Sequence, residues 1–293
     1  MLRHWTAAAA ALLTVSAASA QTNWTGFYVG VSGQGSRDRI AADATLAIGQ
    51  ITNLQVTGRG LVVVPGTTRP FAASRTETNW NGGGQVGYQW QSGNVVFGAE
   101  ADFDPFRRDV TVMQSQQLPF TALTPPTTIE SVRNMRLDQE WTARARLGIA
   151  LGRTLVYATG GYANARAALT SVDSFTNPGG PAAPCAPAPC QANLGPEGPV
   201  VTTSSAPRRR MGGWTGGGGF EQQLGAHFSI GLEYRHTDLG AKTLSPVGGT
   251  AVNTGPETHG DNGATGLLGQ VFTGPTHVSL RSDAIALRLN FRF

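Results

Sequence analysis

The chain ends on Ala284-Ile-Ala-Leu-Arg-Leu-Asn-Phe-Arg-Phe293, and this stretch is the best indicator of its fold class. Apolar side chains occupy every second position, at Ile285, Leu287, Leu289, Phe291 and Phe293. A period of two predicts a β-strand with one apolar and one polar face. The pattern begins near Leu280, so the strand reaches the roughly 9–11 residues that a tilted transmembrane strand needs.

Seven earlier segments have a similar length and alternate in the same way. In the segment at 94–104, for example, Phe97 and Phe103 share one face, and Glu100 lies on the other. For two segments it remains undecided which face points inward. In one, the neighbours Leu155 and Val156 are both apolar, and in the other the glycines of Gly216–Gly219 carry no side chains that would distinguish the two faces. The seven segments lie at about 26–34, 80–90, 94–104, 137–151, 154–165, 210–224 and 227–239.

The connections between these segments alternate strictly between short and long. Three are short, at 91–93, 152–153 and 225–226, and four are long, at 35–79, 105–136, 166–209 and 240–279. Membrane barrels have short periplasmic turns and long outer loops, whereas a soluble sandwich has no reason to place every long loop at one end. We therefore predict an all-β, eight-stranded antiparallel up-and-down transmembrane β-barrel. Five tryptophans near the strand ends are expected to form aromatic girdles: Trp24, Trp80, Trp90, Trp141 and Trp214.

The first twenty residues have the features of a secretory signal. A short basic start is followed by an apolar run from Trp5 to Ala18, and Ala18-Ser19-Ala20 is a small-x-small cleavage pattern. Cleavage is expected between Ala20 and Gln21, which leaves residues 21–293 as the barrel domain. Because an exported chain meets an oxidising compartment, Cys185 and Cys190 are predicted to form a local disulfide within a loop.

The basic residues do not point to nucleic acid. The formal net charge is +4, and the only basic run is Arg208-Arg209-Arg210. Binding of nucleic acid would need a broader basic patch, so no nucleic-acid partner is expected. We also expect no metal and no cofactor.

The strand pattern places charged residues on the inward face of the barrel. Counting from the short turns puts Glu100 level with Arg146, Asp102 with Arg144, and Glu233 with Arg288. Paired charges would plug a narrow lumen, and a gated pathway for ions is the alternative. The predicted interior charges are Glu100, Asp102, Arg144, Arg146, Glu233, Arg235, Arg288 and Arg292.

One short motif resembles a pair of catalytic residues. His227-Phe-Ser229 resembles the His-x-Ser pair of lipid A deacylases, which are small barrels. Both side chains are expected to point inward beside a periplasmic turn, whereas lipid A lies in the outer leaflet. No catalytic residue is therefore predicted, and a lipid-modifying enzyme is only a remote alternative.

Three stretches resemble a known family. They are Asn23-Trp-Thr-Gly-Phe-Tyr-Val-Gly30, Gly82-Gly-Gly-Gln-Val-Gly-Tyr-Gln89 and the terminal Ala286–Phe293. The chain resembles the porin-like outer-membrane immunogenic proteins of alphaproteobacteria, whose barrels look like the membrane half of the OmpA type. The resemblance implies a bacterial outer-membrane location, and it implies that Phe291 and Phe293 belong to the signal that the barrel-assembly machinery reads.

Two main functions remain open at this stage. The first is a structural and surface-interaction role in the cell envelope, and the second is a small porin for ions or small solutes. The expected partners are outer-membrane lipid, lipopolysaccharide, the barrel-assembly machinery and an unidentified extracellular ligand of the loops.

Overall fold

The structure is a computed structural model that describes residues 23–48, 51–53, 62–64, 67–105, 107–118, 127–176, 200–245, 247–253 and 271–293. The predicted signal peptide, with Ala20 and Gln21 at its cleavage site, lies outside the described residues. Cys185 and Cys190 lie outside them as well, so their disulfide remains a prediction. Within the described ranges, no helix is long and apolar enough to cross a membrane.

The described part of the chain contains twelve β-strands. They are Gly26–Ile48 (β1), Ile51–Asn53 (β2), Val62–Val64 (β3), Thr67–Ser92 (β4), Val95–Asp104 (β5), Arg108–Leu118 (β6), Thr127–Leu151 (β7), Thr154–Thr176 (β8), Val200–Gln223 (β9), Phe228–Leu244 (β10), Val247–Asn253 (β11) and Val271–Arg292 (β12).

Eight of the strands close into an antiparallel ring in the order β1-β4-β5-β7-β8-β9-β10-β12. The ring is closed by β12, which pairs with β1 from Tyr28 and Arg292 outward. β6 follows β5 along β7, and β11 pairs with the outer part of β9. β2 and β3 pair only with each other. The predicted eight-stranded up-and-down barrel is confirmed.

Short turns join the strands at one end of the barrel. The β4–β5 and β7–β8 turns each begin with a glycine at positive φ, Gly93 at 62° and Gly152 at 63°. A glycine lacks the Cβ that makes this backbone costly, and type II′ hairpin turns need it at their first position. Residues 224–227 connect β9 to β10 at the same end. The three short turns lie where the sequence predicted them.

The four long connections are strand over much of their described length, so the prediction that they are loops was wrong there. β1 continues to Ile48 and β4 begins at Thr67, both well beyond the expected limits near residues 34 and 80. β7, β8, β9 and β12 are extended in the same way. The barrel therefore continues as a long extension on the side opposite the short turns.

Both faces of the strands change polarity where this extension begins. On the inward face of β1, buried Gln34 and Asp38 are followed by buried Ile40. On its outward face, exposed Val31 is followed by Arg37. Where the extension begins, its interior is apolar and its exterior polar, as a water-exposed sheet requires. Farther out on β7, β8 and β9, buried polar side chains such as Ser131, Ser171 and Thr202 return to the interior. A search for lipid-facing alternation misses it, because the apolar residues have moved to the other face.

A bulge in β7 lies at the same level. Gln139 has φ 50°, and the register with β8 shifts between Asp138 and Trp141. The extra residue lets Glu140 and Leu137 both face inward although they are three positions apart. The bulge therefore joins the polar interior below to the apolar interior above.

The interior of the extension forms what we call the outer apolar core. Its side chains come from most strands of the ring and from β6, so they fill the barrel from all sides. Its members are Ile40, Ala42, Ala44, Phe71, Val110, Val112, Met135, Leu137, Ala163, Ala165, Ala167, Leu169, Ala206, Met211, Leu239, Leu244, Val278 and Leu280.

Candidate functional site

Buried charges fill the membrane-spanning part of the barrel, and we call them the interior charge network. Arg144 on β7 lies 2.6 Å from Glu100 Oε1 and 2.6 Å from Glu233 Oε1. Arg288 on β12 pairs with the second oxygen of each of these glutamates. Two arginines and two glutamates thus alternate in a ring that crosses the lumen between four strands.

Two tyrosine hydroxyls complete this ring. Tyr28 Oη donates to Glu100 Oε2 at 2.5 Å, and Tyr157 Oη donates to Glu233 Oε2 at 2.9 Å. Charges removed from water are tolerated only when they are paired and hydrogen-bonded. The hydroxyls add donors on oxygens that also accept from arginine, so all four carboxylate oxygens of the ring accept hydrogen bonds, whereas Arg288 Nε has no partner among the described residues.

A second ion pair lies beside the ring. Arg146 Nη2 is 2.5 Å from Glu221 Oε2, and Ser229 Oγ donates to Glu221 Oε1 at 2.5 Å. The Arg146 guanidinium also lies 3.5 Å from the centroid of the Tyr157 ring, in a cation–π contact. This pair therefore links β7, β8, β9 and β10.

Polar side chains continue the network toward the extension. Arg235 Nη2 donates to Gln34 Oε1 at 2.5 Å, and Arg235 Nη1 lies 4.0 Å from Asp102. Asp104 accepts from Gln34 at 3.1 Å and from Asn81 at 3.0 Å. These contacts join β1, β4, β5 and β10 across the lumen.

An apolar cluster, the periplasmic cap, lies at the short-turn end. Trp24 is fully buried there, and its Nε1 donates to the carbonyl of Gly152 at 3.4 Å. The Arg292 guanidinium lies 4.5 Å from the Trp24 ring centroid. The segment before β1 therefore folds into the lumen and covers its lower end. The cap consists of Trp24, Val96, Ala150, Leu155 and Tyr157.

The opposite end is filled by the outer apolar core, which holds one buried ion pair. Arg133 Nη1 lies 2.8 Å from Asp173 Oδ1, and both side chains are 1% exposed. The Arg133 guanidinium lies 4.7 Å from the Phe71 ring centroid. The lumen is thus filled at three levels, by the periplasmic cap, the interior charge network and the outer apolar core.

The structure places all eight predicted interior charges inside the barrel, but one predicted pairing was wrong. Glu100 lies opposite Arg144 in the β5–β7 register, whereas Arg146 lies opposite Gly98. The prediction assumed that residues equally far from their short turns lie at the same height in the barrel. Strands in a barrel are tilted, so neighbouring hairpins are staggered and this assumption fails. The expected contacts of Asp102 with Arg144 and of Glu233 with Arg288 are present.

Trp24 does not belong to an aromatic girdle, contrary to the prediction. It precedes β1, so strand alternation does not apply to it, and its ring enters the periplasmic cap. The other four tryptophans are exposed on the outside of the barrel: Trp80, Trp90, Trp141 and Trp214. Ring contacts such as that of Trp141 with Tyr162, at 5.6 Å between centroids, agree with a girdle at the outer boundary.

His227 and Ser229 do not face each other. Ser229 is buried and donates to Glu221, whereas the His227 ring stacks on Phe291 at 5.6 Å and its Nδ1 lies 2.9 Å from the Arg292 carbonyl. The expectation that both point inward was wrong for His227, because this residue belongs to the turn before β10.

The network also contains residues that were missing from the sequence prediction, among them Tyr28, Tyr157 and Glu221. Glu221 was missed because the glycine run left the orientation of its strand open. The structure resolves this, since Glu221 is buried and Phe220 is exposed. In β8, Leu155 and Tyr157 face inward, and Val156 faces outward. One signal in the sequence could have shown this: a charged side chain that faces lipid costs free energy, so Glu221 is expected to face inward.

The end of the chain lies on the lipid side of the barrel. Phe293 is exposed, and Phe291 contacts Phe228 and Phe293 at centroid distances of 5.1 and 5.2 Å. Among the described residues, no group of three or more His, Cys, Asp or Glu side chains is arranged to hold a metal ion.

A closed ring of eight strands with an apolar outer band and a charged interior defines a transmembrane β-barrel protein. Residues 6–262 match the model of the family described as outer membrane protein beta-barrel domain. The chain belongs to this family, and the protein is located in the bacterial outer membrane.

Two similar proteins support the resemblance inferred from the sequence. The chain is 28% identical over 251 residues to the 31 kDa outer-membrane immunogenic proteins of Brucella melitensis and Brucella suis, which covers 83% of this chain and 85% of each relative. Among solved structures, the chain is similar to Ail of Yersinia pestis in complex with the heparin analogue sucrose octasulfate, at 9% identity and a TM-score of 0.32, covering 89% of this chain and 99% of that one. It is also similar to the outer membrane protease OmpT of Escherichia coli, at 6% identity and a TM-score of 0.32, covering 95% and 99%.

Proposed function

We propose that the protein is a closed outer-membrane barrel with a structural and surface-interaction role in the cell envelope. The observation that carries the proposal is the filling of the lumen at three levels. The interior charge network alone pairs every one of its glutamates with arginine, so it is built as a plug. The small porin is the alternative function, and this filling argues against it.

The outer apolar core gives the stronger argument against conduction. An ion pathway needs polar groups along its whole length, whereas an apolar constriction excludes water and ions. Ile40, Phe71 and Leu280 are each 1% exposed within the extension. An ion that passed the charge network would meet this apolar barrier next.

The extension itself supports the surface role. From Trp80 to Thr67, β4 runs about 43 Å at roughly 3.3 Å per residue. At a tilt of about 40°, the barrel projects roughly 30 Å beyond the membrane. The far ends of the extended strands lie farthest from the membrane, and this outer end is where we expect the extracellular ligand to bind. We also propose that the barrel-assembly machinery recognises the exposed aromatic end of β12.

We further propose that the protein has no enzymatic role. Ser229 donates to Glu221, a member of the charge network, and His227 packs outside the barrel. A serine nucleophile needs a base within hydrogen-bond reach, and these two side chains have separate partners.

Conductance of the refolded protein in planar bilayers tests the proposal. The wild-type protein and the Arg144→Ala plus Arg146→Ala variant are both expected to give no stable current steps, because the outer apolar core remains in the variant. Folding is checked by the faster gel migration of the unboiled barrel. Large stable steps from the wild-type protein would establish a porin instead. Steps from the variant alone would show that the outer apolar core does not seal the lumen.

A further inference from the structure

The part of the lumen between the ring of the interior charge network and the periplasmic cap, which we call the lower lumen, contains an excess of positive charge. Arg146 Nη2 lies 2.5 Å from Glu221 Oε2, and Arg292 Nη2 lies 3.8 Å from the other oxygen of the same carboxylate. Among the described residues, no other carboxylate lies within 4 Å of either guanidinium. Two arginines therefore share one carboxylate, and one positive charge stays uncompensated.

The layers above and below do not supply the missing negative charge. Each of the two glutamates of the ring contacts both of its arginines, so the ring is electrically balanced. Asp102, farther out, lies between Arg144 and Arg235. The periplasmic cap below is apolar, and Trp24 is fully buried in it. The excess charge is therefore enclosed between a balanced layer and an apolar one.

Both arginines of the lower lumen are removed from solvent, since Arg146 is 2% and Arg292 is 6% exposed. A buried charge without compensation is strongly unfavourable. A lysine in such a place can lose its proton, but an arginine guanidinium stays charged. Water can accept hydrogen bonds from the guanidinium groups, but it brings no negative charge. Compensation of the excess charge therefore requires an anion.

Hydrogen-bond donors without partners lie in the same region. Among the described residues, nothing accepts from Nε and Nη1 of Arg146, from Nε and Nη2 of Arg292, or from the side-chain amide of Gln89, which is 1% exposed. In the strand register, Gly98 lies between Gln89 and Arg146. On its other side Gln89 is paired with Gly26, where a Cβ would lie 3.7 Å from Cγ of Arg292. Only glycines therefore separate Gln89 from the two arginines along the wall.

We infer that the lower lumen binds one small monovalent anion between Arg146, Arg292 and Gln89, and that chloride is the ion of fitting size and charge. A single negative charge balances the excess, whereas a divalent anion would leave a negative charge beside Glu221. Hydrogen bonds from a guanidinium to an anion are charge-assisted and stronger than neutral ones. The anion links β4, β7 and β12, so it stabilises the folded barrel. This ligand is additional to the plug and does not depend on the surface role.

Unfolding of the full refolded chain in urea, in detergent micelles, tests the inference. Sodium chloride is replaced stepwise by sodium gluconate at constant ionic strength, which keeps the screening of charges equal. Gluconate carries a chain of hydroxyl groups and is too large for the buried site. For one anion that binds only the folded barrel, the unfolding equilibrium constant falls about tenfold for each tenfold rise in chloride above the dissociation constant. The gel shift of the unboiled barrel follows the folded fraction.

Gln89→Glu supplies the negative charge within the chain. Its carboxylate takes the place of the anion, so the unfolding equilibrium is expected to lose its dependence on chloride. The variant is also expected to be at least as stable in gluconate as the wild-type protein. Arg75→Gln is the matched control, because it changes the net charge by the same amount at the surface, where Arg75 is 53% exposed. It should keep the chloride dependence of the wild-type protein.

Crystals soaked in sodium bromide locate the ion. An anomalous peak is expected within hydrogen-bond distance of Arg146 and Arg292 in the wild-type protein, and it should be absent in Gln89→Glu. Unfolding of the wild-type protein that does not respond to chloride would overturn the inference, because a peak would then mark an adventitious ion only. Equal chloride dependence in Gln89→Glu and Arg75→Gln would also overturn it, since the anion would then bind elsewhere.

Discussion

Arg288 lies between Glu100 and Glu233 in the interior charge network, and its side chain is 2% exposed. Both glutamates also contact Arg144, so each carboxylate has two cationic partners. Charges in such a place are stable only together, because removing one partner leaves another charge buried without compensation. Loss of a single network residue is therefore expected to destabilise the barrel strongly, because its partners stay buried without compensation.

Arg288→Met is expected to lower the free energy of unfolding by about 3–5 kcal/mol, since it leaves two carboxylates with one arginine between them. Unfolding in urea, followed by the gel shift of the folded barrel, measures this change. Arg75→Met is the control, because Arg75 pairs with Glu77 at the surface and is 53% exposed. The control should change stability by less than about 1 kcal/mol. Similar losses in the two variants would contradict a special role for the network.

Single residues also show the limit of prediction by alternation. Trp24 and His227 both lie just outside a strand, and for both the inward or outward direction was predicted wrongly. Alternation follows from the pleated backbone of a strand and has no meaning in a turn or a leading segment. Within the strands, Glu100 and Arg288 face inward as the pattern predicted.

At the scale of whole strands, the change of polarity divides each long strand into two parts. The part below faces lipid with apolar side chains, and the part above faces water with polar ones. β6 lies entirely in the upper part, where Val112 is 4% exposed and Met113 is 67% exposed. Adjacent residues of similar hydrophobicity therefore have opposite environments, and they give a direct test of the polarity change.

Val112→Asn is expected to destabilise the extension by about 1–3 kcal/mol, because it buries an amide in the outer apolar core without a hydrogen-bond partner. Proteolysis of the protein on intact cells should become faster, while the gel shift of the membrane-spanning barrel is retained. Met113→Asn should leave the rate of proteolysis unchanged. Faster proteolysis of Met113→Asn than of Val112→Asn would contradict the apolar interior of the extension.

At the scale of the whole molecule, the apolar band determines how the barrel sits in the membrane. Trp80 and Trp90 are both exposed on β4 and lie about 33 Å apart along the strand at roughly 3.3 Å per residue. At a tilt of about 40°, this corresponds to roughly 25 Å along the membrane normal, which is the usual height of such a band. The outer boundary is then at Trp80.

Cysteine labelling on intact cells locates this boundary. In a background with Cys185→Ser and Cys190→Ser, Thr78→Cys should react with a membrane-impermeant maleimide, because Thr78 is exposed above Trp80. Val86→Cys should not react, since Val86 lies on the lipid-facing surface inside the band. Labelling of Val86→Cys with native gel migration would show that the barrel sits at a different depth.

From the sequence alone, the class of fold, the number of membrane strands and eight of the inward charges could be predicted, because lipid on one side forces a strict period of two. The three short turns could be placed as well. The sequence did not show how long the strands are. In the extension the apolar residues face inward and the polar residues face outward, so these segments lack the lipid-facing pattern and resemble loops in sequence. The ring of Arg144, Arg288, Glu100 and Glu233, and the inward direction of Glu221, were decided only by the tertiary structure. The stagger between tilted strands sets which side chains meet across the lumen, and no single strand contains that information.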